Sequence, residues 1–248
     1  MNDSGREHGD DAIFALADER FDLAGDRYTL SAYGTLAGFE NRNREAFDDE
    51  HAGWAGFAVC DLLRAAVCYR IAGATDRARN RAGQAILAVG DQRDHVVDAA
   101  VDRAACHELV GVARAITGDA EQASAAFDRT EAGYESADVD DGFQATTRPL
   151  LQAGTDLVTH LSRPDDVEWD EIHGPNREEA LTRRVRFVRN RVGSMANARV
   201  EAGKLHAPRG STEYGNDTYR CPECGANDIN HVAETVLCLR CSAQSDQV

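Results

Sequence analysis

The sequence predicts a mainly α protein: stacked antiparallel helical hairpins over residues 11–202, then a small β module at 218–243. Three observations predict it. Apolar residues recur at intervals of three and four through most of the first part of the chain, the period of a helix with one buried face. That pattern stops near Gly203, where Pro208, Gly210, Ser211, Gly215 and Asn216 mark a linker over 203–217, read as a flexible tether. Beyond it, four cysteines stand in two pairs, each pair spaced by two residues.

The helices follow in order. Ile13, Phe14, Ala17, Phe21 and Ala24 give the first stripe, and Tyr28, Tyr33, Leu36 and Phe39 a looser second one. Trp54, Phe57, Cys60, Leu63, Val67 and Ile71 give a strong third. Ala78, Ala82, Ala85, Ile86 and Val89 form a stripe of mostly small residues, followed by Val97, Ala100, Ala104, Leu109, Ala113 and Ile116. Ala120, Ala123, Phe127 and Tyr134 come next, then Leu150, Leu157, Val158 and Leu161 behind Pro149, which suits a first turn. The last helix, 175–202, buries Leu181, Val185, Val188, Val192 and Met195. Asp11, Asp26, Thr75, Asp119 and Thr147 are the expected caps.

Three turns look alike: Leu23-Ala24-Gly25-Asp26, Ile71-Ala72-Gly73-Ala74-Thr75-Asp76 and Ile116-Thr117-Gly118-Asp119. In each, an apolar helix end meets glycine, which takes the left-handed C-terminal position cheaply, and Asp or Thr follows to cap the next helix. With the alanine-rich stretches after them, these turns over residues 11–162 resemble the tetratricopeptide class of helical hairpins. Their longer spacing makes them closer to the vesicle-fusion adaptor (SNAP-like) variant. The resemblance implies a groove that holds a peptide or helix from a partner protein.

Cys60, Cys68 and Cys106 fall in apolar stripes and read as buried small hydrophobes. Cys221, Cys224, Cys238 and Cys241 differ: they form C-P-E-C-G and C-L-R-C, with thirteen residues between Cys224 and Cys238. Two residues between thiolates let both sulfurs of a knuckle reach one ion, and Gly225 lets the backbone fold back toward them. The stretch from Ile229 to Leu237 suits a β-hairpin feeding the second knuckle. The pattern resembles the zinc-ribbon family over residues 218–243 and implies a structural Zn2+ with four cysteine ligands. A rubredoxin-like iron site shares that ligand set. Ser242 stands where the second knuckle usually has glycine, which predicts a looser turn.

Charge divides the chain unevenly. Overall it carries 43 acidic and 27 basic residues, a formal net charge of -16, and Lys204 is its lone lysine. This composition resembles that of proteins from extreme halophiles, in particular haloarchaea, where carboxylates keep a surface hydrated and molar salt shortens the Debye length to about 3 Å. Residues 1–174 hold 34 acidic against 16 basic groups, whereas 175–209 hold 3 against 9. Arg183, Arg184, Arg186, Arg189 and Arg191, with Phe187 among them, are the candidate partner surface. Arginines beside an aromatic suit an acidic protein partner or nucleic acid phosphates. They equally suit neutralisation against the chain's own carboxylates.

The sequence holds no phosphate-binding glycine loop and no nucleophile elbow. His107-Glu108 opens like a metalloprotease helix but lacks the second histidine, and Cys106 points away from His107 on a helix. Asp138, Asp140 and Asp141 before Gly142 read as a solvated loop, and His95, His107 and His160 as scattered residues. No apolar run is long enough for a membrane span, and the polar start from Met1 to Asp11 lacks a signal core. The expectation is a cytoplasmic, non-enzymatic protein-binding adaptor, with a nucleic-acid-associated regulator as the alternative. Whether the module swings on its linker or docks is left open.

Overall fold

A computed structural model describes residues 4–38 and 54–248. Ten helices are described: α1 (Ser4–Ala17), α2 (Phe21–Gly38), α3 (Ala55–Ile71), α4 (Thr75–His95), α5 (Ala100–Thr117), α6 (Ala120–Ser136), α7 (Gly142–Thr146), α8 (Pro149–Ser162), α9 (Trp169–His173) and α10 (Ala180–Glu201). Successive long helices pack side by side as antiparallel pairs, and α10 lies across α3, α5, α6 and α8 to close the stack. The mainly α fold of paired helices followed by a small β region is therefore as expected. Phe39 of the second stripe lies outside the described residues. Among the described residues, no helix is long and apolar enough to cross a membrane.

The core follows most of each predicted stripe, but Phe14 and Tyr33, at helix positions that open outward, and Trp54, just before α3, are exposed, as are Ala100 and Ala120. Leu63, Val67, Ile116, Phe127, Leu150, Leu157, Val185 and Val188 are enclosed, with alanines such as Ala65, Ala66 and Ala113 letting helices approach closely. Cys60, Cys68 and Cys106 sit inside this core. Burial pushes the Cys60 and Cys106 thiols up to about 12, so they are inert at neutral pH.

Two of the three glycine turns form, but Thr75 does not cap: the N-cap of α4 is Ala74, with no side-chain cap hydrogen bond, and Thr75 is the first residue of the helix. Gly73 and Gly118 take left-handed φ values of 75° and 83°, and the Asp119 side chain accepts the Gln122 amide at 3.3 Å. The first does not form. Gly25 and Asp26 lie inside α2, and the α1–α2 turn falls at 18–20, with Glu19 at φ 56°. Gly25 is there for proximity: a β-carbon would stand 2.6 Å from the Tyr69 ring, whose hydroxyl donates to Asp26 at 2.7 Å. Asp11 likewise lies within α1, and Thr147 ends α7 instead of opening α8. Pro149 opens α8 as predicted.

The predicted helix 175–202 begins later, at Ala180. A short helix, α9, precedes it, fixed by a capping box between Glu168 and Glu171. Asp141 is more than part of a solvated loop: its carboxylate caps α7 through the amides of Phe143 and Gln144 and pairs with Arg177.

Beyond α10 the chain makes five short strands. β1 (Ser211–Glu213), β3 (Ile229–Val232) and β4 (Thr235–Cys238) form an antiparallel sheet in the order β1-β3-β4. β2 (Tyr219–Arg220) pairs with β5 (Asp246–Gln247). The predicted hairpin is present, closed by Ala233 and Glu234 in left-handed conformations.

The 203–217 stretch is not a flexible tether. Leu205 is fully buried in the helical core, Ala207 packs with Ile13 of α1 and Leu237 of β4, and residues 211–213 are β1 itself. Glycine, serine and proline gave this stretch a linker's composition, but its few apolar residues are enough to dock it.

Candidate metal centre

The two knuckles are built the same way. In the first, the Cys221 amide donates to the Ala226 carbonyl at 2.8 Å and the Gly225 amide to the Cys221 carbonyl at 3.0 Å. In the second, the Cys238 amide donates to the Ala243 carbonyl at 2.7 Å and the Ser242 amide to the Cys238 carbonyl at 2.9 Å. Each turn closes through a left-handed residue, Gly225 at φ 70° and Ser242 at φ 63°. The looser second turn expected from Ser242 does not appear. Its side chain is buried, and its hydroxyl accepts the Ala207 amide at 2.9 Å, which gives the serine a bond that glycine cannot make.

These turns bring all four sulfurs within 4.8 Å of one another. Cys221 and Cys241 Sγ are 3.5 Å apart, Cys224 and Cys238 Sγ 3.5 Å, and Cys224 and Cys241 Sγ 3.7 Å. A tetrahedron with metal–sulfur bonds of about 2.3 Å has edges of roughly 3.8 Å, so the four cysteines fit a metal ion with little adjustment. Burial and the surrounding sulfurs hold the Cys238 and Cys241 thiols above the usual range. At Cys224 burial works upward but is outweighed by the Ala226 amide and the neighbouring cysteines, leaving the thiol below its usual value. A cation here displaces the remaining thiol protons, so its binding weakens as pH falls.

The arginine surface is rearranged relative to expectation. Arg184 is not on it. Its guanidinium is fully buried and grips Glu108 through Nη2–Oε1 at 2.7 Å and Nε–Oε1 at 2.9 Å. Tyr134 donates to Glu108 Oε2 at 3.1 Å, and Arg184 Nη1 donates to His173 Nε2 at 3.1 Å. Helical position alone put Arg184 at the edge of the buried stripe; Glu108 on α5 draws it inward.

Arg183 and Arg186 are exposed as predicted, but both are paired, with Glu179 at 3.7 Å and Glu131 at 2.9 Å. Arg189 is bound to Asp128 at 2.7 Å. Phe187 is half buried against the core, and Arg191 lies over its ring, 5.7 Å from the centroid. The carboxylates of α6 and the turn before α10 thus neutralise most of the cluster.

Removing Glu108 leaves a buried guanidinium unpaired. Glu108→Ala is expected to cost about 3–5 kcal/mol, whereas removing the solvent-facing pair by Arg186→Gln costs at most about 1 kcal/mol. Denaturant titration of the two variants checks the contrast; equal losses would contradict it.

The small β module is joined to the helices by residues that local pattern did not single out, Arg163, Arg64 and His206, and by His160, which read as a scattered histidine. Arg163, wholly enclosed after α8, donates Nη2 to the Leu239 carbonyl between the second pair of cysteines. Arg64 Nε donates to His160 Nδ1 at 3.3 Å, so the proton of this neutral imidazole sits on Nε2, which donates to the His206 carbonyl at 2.7 Å. Lys204 pairs with Glu19. No family model, curated protein or solved structure matches the chain.

Proposed function

We propose that the chain is a zinc-binding scaffold of the tetratricopeptide-like, SNAP-like kind, haloarchaeal in type and cytoplasmic, which holds a partner protein and performs no chemistry of its own. The ligand set carries the metal-binding part of this reading. Four cysteine sulfurs within 4.8 Å of one another complete a tetrahedral shell and leave no position for water or substrate. The ion's part is then to hold a module too small to fold alone. Zinc is assigned because a closed four-sulfur shell suits it without redox chemistry; iron in the same shell is the competing outcome of metal analysis.

A protein partner is favoured over nucleic acid by the ion pairs of α10, since Arg183, Arg186 and Arg189 already face carboxylates. Apolar side chains stay exposed elsewhere. Tyr33 of α2 donates to Gln84 of α4 at 2.9 Å, and Leu87, one turn beyond Gln84, is 71% exposed. The test is affinity capture from nuclease-treated lysate in molar KCl. Captured protein is expected to survive the triple change Arg183→Gln, Arg186→Gln, Arg189→Gln and to be lost with Leu87→Glu. Binding of wild type to nucleic acid that the triple change abolishes would reverse the choice of partner.

A further inference from the structure

We infer that the second knuckle is the joint through which metal binding and docking of the ribbon on the helical body become one equilibrium. The inference rests on the zinc reading above and goes beyond it, because it gives Ser242 and Arg163 roles in retaining the ion. The two knuckles share a backbone but differ in surroundings. At the first, Cys224 is exposed and nothing approaches within 4 Å of where a Gly225 side chain would start. The second is enclosed. Leu237, just before Cys238, packs with Ile13 and Ala207; the Leu239 carbonyl accepts from the buried Arg163 guanidinium; and the Ser242 hydroxyl accepts the Ala207 amide.

These three contacts come from chain outside the knuckles: α1, the end of α8 and the segment leaving α10. Arg163 is itself held, since Arg199 of α10 donates to its carbonyl. An ion that fixes the positions of Cys238 and Cys241 therefore also fixes the acceptors that Arg163 and Ala207 require. When the ion leaves, the knuckle can move and take the Leu239 carbonyl from the buried Arg163 guanidinium, which keeps only Asp166 at 3.7 Å, and the Ser242 hydroxyl from the Ala207 amide, which is costly. The cost works in reverse as well: disrupting either contact makes the ion easier to lose, because linkage is reciprocal. Ser242 at a position of positive φ is the residue that makes this joint. Glycine would form the turn equally well but offer Ala207 no acceptor.

The experiment follows zinc transfer from the loaded full-length protein to a chromogenic chelator. Ser242→Gly keeps the turn unstrained and removes only the hydroxyl, so release is expected to quicken about tenfold. Arg163→Met is expected to quicken it further, and Arg186→Gln, remote from the seam, to leave it unchanged. In parallel, hydrogen exchange at 204–209 is expected to accelerate when zinc is withdrawn, with α3 and α5 still protected. Release from Ser242→Gly at the wild-type rate overturns the inference even if Arg163→Met fails to fold, and so does a seam that stays protected without metal. A wild-type protein that takes up no zinc defeats the zinc reading and this inference together; zinc bound but released without regard to Ser242 defeats the inference alone.

Discussion

Cys238→Ser is expected to abolish stoichiometric metal binding and to unfold the chain from about residue 205 onward, while the helical stack keeps its shape. The ribbon has few enclosed apolar residues of its own, chiefly Ile229, Leu237 and Leu239. By contrast, a structural zinc ion in small modules contributes about 10–16 kcal/mol near neutral pH. Loss of the ion therefore outweighs what the strands supply. The helical core from Leu62 to Val192 makes no use of the four cysteines and remains. Hydrogen exchange resolved by segment is the measurement: protection disappears over β1–β5 and persists in α3, α5 and α6. Protection of β3 and β4 in the variant would show that the ribbon folds without its ion.

Acid is expected to be the second large effect. Burial, reinforced by the Arg64 guanidinium, pushes His160 down to about 3. Burial and Arg184 push His173 down to about 4, and burial with Arg163, Lys204 and Arg199 pushes His206 down to about 4. Each is neutral in the fold, whereas an unfolded histidine takes its proton near pH 6.5. The stability they contribute is present in full above that value and is lost as pH falls from about 6.5 toward 4, because the unfolded chain binds protons the folded one refuses. Around pH 5 the loss is steepest, on the order of 1.4 kcal/mol per pH unit for each histidine. Together they give about 4 kcal/mol per pH unit. Urea titrations of the loaded protein at intervals between pH 7.5 and 4.5 check this. His160→Gln is expected to flatten the slope by about one third, and a pH-independent midpoint would contradict the account.

The sequence made legible whatever depends on local pattern. Stripes such as Leu181, Val185, Val188, Val192 and Met195 face the core because the helical period dictates it. The cysteine spacing announced the four-sulfur cluster because two intervening residues suffice to aim both sulfurs of a pair at one point. What it hid was long-range. Gly25 looks like a turn residue until Tyr69 is found against it, and Arg184, at the edge of its helix's buried stripe, looks like part of the arginine surface until Glu108, on α5, is opposite. Glu19 gave no sign of the turn it makes, being a non-glycine residue at positive φ. Ser242 did leave a signal, as the single departure from a glycine pattern, but its meaning needs Ala207 beside it. Arg163 left none, since an isolated arginine after a helix reads as surface.

The central claim is that one structural zinc ion, held by four cysteines, fixes the ribbon to a helical scaffold. Metal analysis of the purified protein with X-ray absorption at the metal edge tests it most directly. The account predicts one zinc per chain bonded to four sulfurs at about 2.3 Å. Iron in that shell, a nitrogen or oxygen ligand in place of a sulfur, or protein with an ordered ribbon and no stoichiometric metal would contradict it.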